Sequence, residues 1–259
     1  MKQPGQLPWP LNVPSVDPYG VDGGAAYVPH LLARDVKGWS IPSDNPFSKN
    51  GFASVPAHSE QEQRVQLACF FCPHVLDIRA QYYYTDDEMD WRILNGNRPG
   101  RKELPTLDLM LTINCPWTNK VVYHAISVKH EDRRDDDKEK RRMNRDIEFC
   151  KQYGFTFEML GSDSFPETEA GNHWALFSFL RYQNLNDLYK PAREFSHFLN
   201  TSKAQGTADK VLGRIGKRFG LDVEDSYRLF AAAVFFGFVR MDMTHPLEAD
   251  EKLVIMRET

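Results

Sequence analysis

The sequence predicts an α/β protein: a mixed sheet flanked by helices, followed by a helical C-terminal domain. Three observations carry this. Four apolar or alternating runs of strand type lie between residues 75 and 160: VLDIRAQYYYT, LPTLDLMLTI, VVYHAISVKH and FTFEML. Segments of helical period lie on either side of the middle pair, at 59–71 and 131–153. Beyond residue 165 the composition turns helical and aromatic, with WALFSFLRYQ, PAREFSHFLN, ADKVLGRIGKRFG and DSYRLFAAAVFFG in succession.

The elements follow in order. Residues 1–20 hold Pro4, Pro8, Pro10, Pro14 and Pro18, which suit neither a helix interior nor a central strand. Residues 1–58 therefore read as an extended arm and a loop-dominated lead-in that includes AAYVPHLLA. At Ser59 a capping-box pattern begins: an N-cap serine, with Glu62 three residues on. Val65, Leu67, Ala68, Phe70 and Phe71 make the body of that helix, and Pro73 ends it. A strand follows, then a polar loop at 86–104 punctuated by Asn95-Gly96 and Pro99-Gly100. The turn residues of NCPWTNK pair the next two runs as an antiparallel hairpin. Met143, Ile147 and Cys150 then recur at helical spacing up to Gly154. FTFEML closes a domain spanning 59–165. In the remaining domain, 166–259, four helices precede the short strands VRMDM and KLVIM, an order that suggests a winged-helix-like domain.

Composition narrows the class of function. Of the 259 residues, 41% are hydrophobic and 26% charged, an ordinary globular balance. No run of eighteen apolar residues predicts a membrane span, and the N-terminus shows no secretory pattern. A cytoplasmic location is expected. A net charge of −4 argues against a chain that coats nucleic acid by bulk charge, while leaving room for a local basic face. Cys69 and Cys72 form C-x-x-C without a second pair of similar spacing, so buried free thiols are expected rather than zinc.

The chemistry concentrates in the hairpin. Asp108 sits in mid-strand among Leu107, Leu109, Met110 and Leu111, where an acid is costly to bury without a partner. That partner is either a basic side chain or a divalent cation. Lys129 ends the second strand of the hairpin, and Glu62 opens the helix that precedes the sheet. Two carboxylates can hold Mg²⁺ against a scissile phosphate. The cation stabilises developing charge and lowers the pKa of water, while a lysine beside it orients the attacking water. By spacing alone this pattern is common by chance.

Family likeness sharpens it. The stretch SEQEQ…VLDIRAQ resembles the TnsA endonuclease family of heteromeric transposases, in which an acidic helix precedes a V-L-D-I-R-x-Q strand. TLDL matches the family's T-D-F-like strand, SVK its Q-V-K strand end, and YVPHLLARDVKGWS its Y-I-P-W-L lead-in. The resemblance covers roughly residues 20–165 in register. It implies a restriction-endonuclease-like core, with Glu62 and Asp108 as metal-binding carboxylates and Lys129 as the catalytic lysine. Mg²⁺ is the implied cofactor and Mn²⁺ its substitute. The implied activity is cleavage of the 5′ ends of a transposon, with double-stranded transposon-end DNA, a TnsB-type DDE transposase and a TnsC-type AAA+ ATPase as partners.

One departure stands out. Ser127 occupies the place of the family's Gln, two before the lysine. A hydroxyl is a weaker ligand, so Ser127 is expected to act through water, with the Val128 carbonyl as a direct ligand. Two alternatives use the same core: a stand-alone restriction or repair nuclease, and a catalytically silent binding module. Other charged residues have plainer readings. Glu60 is expected in solvent, Asp77 and Arg79 in a structural ion pair, and His124 and His130 in packing or beside phosphate. Arg133, Arg134, Lys138, Lys140, Arg141, Arg142 and Arg145 form a solvated helix face that can also touch DNA. Lys210, Arg214, Lys217 and Arg218 either meet a partner or keep their helix wet. Leu229, Phe230, Val234, Phe235 and Phe238 are core.

Overall fold

In the computed structural model, the described residues are 6–35, 43–51, 53–97, 99–100, 103–129, 136–161, 164–202 and 204–256. His130, Arg133 and Arg134 lie outside them, as does the 36–42 part of the lead-in. The chain divides into two compact units. One comprises 13–66 and 75–164; the other comprises 1–12, 67–74 and 165–259.

The first unit is built on a four-stranded mixed sheet. Its strands are β3 (Val75–Tyr83), β4 (Thr106–Cys115), β5 (Lys120–Lys129) and β6 (Thr156–Gly161), side by side in that order. β3, β4 and β5 pair antiparallel and β6 lies parallel to β5. The turn chemistry at 116–119 closes the β4–β5 hairpin as expected, with Asn119 taking the left-handed φ of 53° that a tight reversal demands. The parallel step from β5 to β6 requires a crossover, which α3 (Asp137–Tyr153) supplies. Asp136 caps α3 through the Lys138 amide, and Gly154 ends it at φ 70°, a conformation glycine adopts without a Cβ penalty.

Aromatic packing fills one side of the sheet. Tyr82, Tyr84, Leu107, Met110 and Ala125 meet Phe149 and Cys150 of α3, and Phe155. Tyr84 stacks on Phe149 with ring centroids 4.1 Å apart.

Two elements depart from the sequence reading. Residues 86–104 were expected as loop, yet α2 (Asp87–Leu94) forms there: Asp86 accepts from the Met89 amide, and Asp87, Glu88 and Asp90 fill the first turn, where acids favour the helix dipole. In the lead-in, β1 (Ser43–Phe47) and β2 (Ala53–Ala57) pair as an antiparallel hairpin.

The N-terminal lead-in is tied down by a buried charge cluster. Asp17 Oδ1 accepts the main-chain amides of Tyr19 (2.9 Å) and Val21 (3.0 Å). Its Oδ2 accepts Arg79 Nη1 (2.5 Å) and the Tyr82 hydroxyl (2.7 Å). Arg79 also lies 3.4 Å from Asp77, whose Oδ2 accepts the Gly24 amide. The expected Asp77–Arg79 pair is therefore one arm of a larger network that fastens residues 17–24 to β3.

The second unit holds α4 (Glu167–Leu180), α5 (Leu185–Thr201), α6 (Ala208–Gly216) and α7 (Val223–Phe235). Leu229, Phe230, Val234, Phe235 and Phe238 are buried, as their apolar stripe predicts. VRMDM and KLVIM do not form full strands: their ladder is a single bridge, Met241 with Ile255. Cys69 and Cys72 are free thiols. Among the described residues no helix is long and apolar enough to cross a membrane.

His173 on α4 stacks flat on Phe71, with centroids 5.6 Å apart, and burial pushes its pKa down to about 4. The unfolded chain therefore binds this proton more readily than the folded one. Stability should be intact above the ordinary histidine value of 6.5 and fall as pH drops towards about 4, by on the order of 3 kcal/mol. Urea unfolding at pH 7 and pH 5 measures the loss. His173→Phe keeps the stack and should flatten that pH dependence.

Candidate metal and phosphate site

The three residues singled out in the sequence come together in the first unit. α1 (Glu60–Phe71) begins with the expected capping box: the Glu62 amide donates to Ser59 Oγ at 3.2 Å. The Glu62 carboxylate turns back in return. Its Oε1 accepts the Ser59 hydroxyl at 3.2 Å and its Oε2 the His58 amide at 3.0 Å. This fixes an acid at the start of α1, and Glu62 as a whole is only 8% exposed.

Asp108 faces it from β4. Its Oδ2 accepts the Val128 amide at 2.7 Å and the Ser127 hydroxyl at 3.2 Å. Lys129 Nζ stands 3.6 Å from the same oxygen. Ser127 thus spends its proton on Asp108, and its oxygen keeps lone-pair capacity. Arg142 of α3 reaches the other side, with Nη2 3.9 Å from Asp108 Oδ1 and 2.9 Å from the Thr106 carbonyl. Glu139 approaches Lys129 at 3.9 Å. Behind them, the Tyr84 hydroxyl donates to buried Asp146 and accepts from Arg145 Nε. Ser127, Lys129, Glu139, Arg142 and Asp146 line one recess.

Electrostatics mark the pair of acids. Burial first, then the nearby Asp108 charge, lift the Glu62 pKa to about 7, against the opposing hydrogen bonds and Lys129. A buried carboxyl lifted in this way favours either its own proton or a cation. Folded Glu62 holds its proton more tightly than the unfolded chain does. Its contribution to stability is therefore present below the ordinary value of 4.5 and lost as pH rises through about 7. Glu62→Gln should raise the melting temperature of the metal-free protein at pH 8 and weaken its dependence on pH. Thermal melts across pH 5–8 measure both. A variant that melts lower at pH 8 would contradict the strained-acid reading.

The side-chain donor set is oxygen only: two carboxylates and a hydroxyl. That chemistry suits a hard cation such as Mg²⁺ or Mn²⁺ rather than zinc. Among the described residues no three His, Cys, Asp or Glu side chains are grouped to hold a metal by themselves. A cation between Glu62 and Asp108 would complete its shell with the Val128 carbonyl and water, which Mg²⁺ retains readily.

Several site residues escaped the sequence. Gln81 of β3 donates from Nε2 to Glu62 Oε2 at 3.3 Å and has a left-handed φ of 54° inside a strand. That conformation costs an L-residue about 1–2 kcal/mol. Arg142 and Arg145 were read as part of a solvated face, yet they contact Asp108 and Tyr84. Three apart, they share one face of α3, a spacing that separates them from Arg141 but not from Lys138. His58 lies in the lead-in, and burial lowers its pKa despite nearby Asp108.

Glu60 pairs with Arg64 at the surface. His124 contacts Thr156 and Glu158, five residues from Lys129 along β5. Lys210, Arg214, Lys217 and Arg218 are exposed in the second unit, and Arg218 lies over the Phe198 ring.

No protein-family model matches this chain, and no curated protein does either.

Proposed function

We propose that this chain is a Mg²⁺-dependent DNA endonuclease of the TnsA kind, with a restriction-endonuclease-like core at 59–165 and a winged-helix-like domain at 166–259. The observation that carries this reading is buried Asp108, held by the Val128 amide with the Lys129 amine 3.6 Å away, on the strand beside Gln81, which reaches the second buried acid, Glu62. Nothing in hydrophobic packing calls for two like charges in one buried place. The family likeness of VLDIRAQ, TLDL and SVK supports the same assignment.

In this reading Glu62, Asp108 and the Val128 carbonyl hold the cation, and Ser127 supports Asp108. The bound cation supplies charge stabilisation at the phosphate and lowers the pKa of water. Lys129 neutralises the scissile phosphate and orients the attacking water. Arg142 keeps the second Asp108 oxygen from turning away. Glu62 must lose its proton before it can bind a cation, so affinity should rise about tenfold per pH unit below about 7 and level off above it. Calorimetric titration with Mn²⁺ at pH 6, 7 and 8 checks this slope.

The partners proposed are double-stranded transposon-end DNA, a TnsB-type DDE transposase and a TnsC-type AAA+ ATPase. The decisive assay is 5′-strand cleavage of a transposon-end plasmid with Mg²⁺ and both partner proteins present. Cleavage that needs the partners supports the reading. Free cutting of plasmid by the isolated chain would instead identify a stand-alone nuclease. No cutting under any condition would leave a binding module.

A further inference from the structure

We propose that Gln81 is a positioning residue for the metal centre, holding the Glu62 carboxylate in line without neutralising it. The inference rests on the metal-site reading of Glu62 and Asp108. Gln81 lies on β3 between the register pairs Ala80↔Leu109 and Tyr82↔Leu107, alongside Asp108 on β4. It is only 3% exposed, and its φ of 54° breaks the extended conformation of the strand on both sides. Its main-chain carbonyl accepts the His30 amide at 3.3 Å, and its side-chain amide donates to Glu62 Oε2 at 3.3 Å.

The residue type is the telling part. Where only the backbone conformation matters, glycine or asparagine fills a left-handed position at least cost. Glutamine gains nothing in backbone energy there, and its chain is longer than asparagine's by the one methylene needed to span from the strand to the start of α1. Strain retained in a buried residue beside a charged pair points to use of its side chain. The chemistry of an amide fits that use. A lysine or arginine at this place would pair with Glu62 and compete with an incoming cation. A carboxamide donates one hydrogen bond, stays neutral, and leaves the negative charge for the metal. Together with the His58 amide it grips Oε2, while Ser59 holds Oε1. The carboxylate is thereby fixed from the helix side and from the sheet side.

The test uses the full chain with Gln81→Asn and Gln81→Gly. Both replacements suit the left-handed backbone, and neither reaches Glu62. Melting of the metal-free proteins and calorimetric Mn²⁺ titration are read side by side. Both variants should melt at or above the wild type, while Mn²⁺ affinity falls about 10- to 100-fold, the usual effect of losing a hydrogen bond that orients a ligand. A merely structural role would move the melting temperature and spare the affinity. Unchanged Mn²⁺ affinity in both folded variants would overturn the role of Gln81 alone. Absence of Mn²⁺ binding in the wild type would overturn the metal centre, and this inference with it.

Discussion

Asp108→Asn is expected to remove Mg²⁺-dependent strand cleavage while leaving the protein folded. The amide oxygen of asparagine can still accept from Val128 N and from Ser127 Oγ, the two hydrogen bonds that seat Asp108 in β4. What disappears is the negative charge. Cation stabilisation of the transition state is worth several kcal/mol, so the rate should fall on the order of 10³-fold or more. The same substitution removes a like charge from beside Glu62, so the Glu62 pKa should move back down towards its ordinary value of 4.5. Cleavage assays with both partners present, and a melting curve on the same preparation, separate loss of chemistry from loss of fold. A folded Asn variant that cuts at the wild-type rate would take Asp108 out of the site.

Asp17→Ala should produce the largest loss of stability in the first unit. Arg79 is 1% exposed, and Asp17 is its closest acidic partner at 2.5 Å. Truncating the acid leaves a buried guanidinium with Asp77 at 3.4 Å as its remaining carboxylate. It also frees the Tyr82 hydroxyl and the amides of Tyr19 and Val21. Removing one partner of a buried ion pair typically costs about 3–5 kcal/mol, much of it the cost of stranding the other charge. A double variant, Asp17→Leu with Arg79→Met, should therefore be less damaged than Asp17→Ala alone. Urea titration of the two proteins reads the difference. If the double variant proved the less stable, the pair would be contributing more than it costs to bury.

The sheet unit was largely legible because its signals are local. Alternation in 104–113 and 121–130, with turn residues between them, dictates a hairpin. Ser59 and Glu62 announce a helix start, and Gly154 a helix stop, through cap chemistry. The hairpin also places Asp108 against Ser127, Val128 and Lys129, because an antiparallel register fixes cross-strand neighbours once the turn is known. The sequence predicts a loop where α2 forms because the polar, Asp-rich start of α2 resembles a loop in composition, although Asp86 is a good N-cap. The role of Asp17 could not be read, since its 62-residue separation from Arg79 leaves no periodic trace. Gln81 stood in the sequence only as the last residue of VLDIRAQ; its reach to Glu62 left no signal, because a left-handed residue inside an alternating strand breaks no hydrophobic pattern. Arg142 and Lys138 look alike in sequence and, four apart, share a helix face; only the contact with Asp108 tells Arg142 apart.

The most direct test is a crystal of this chain soaked in Mn²⁺ and measured at the manganese absorption edge. An anomalous peak bonded to oxygens of both Glu62 and Asp108, with Lys129 beside it and no peak in Asp108→Asn crystals, is the predicted result. Crystals whose Glu62 and Asp108 stay bound only to protein atoms, at pH 8 and saturating Mn²⁺, would contradict it.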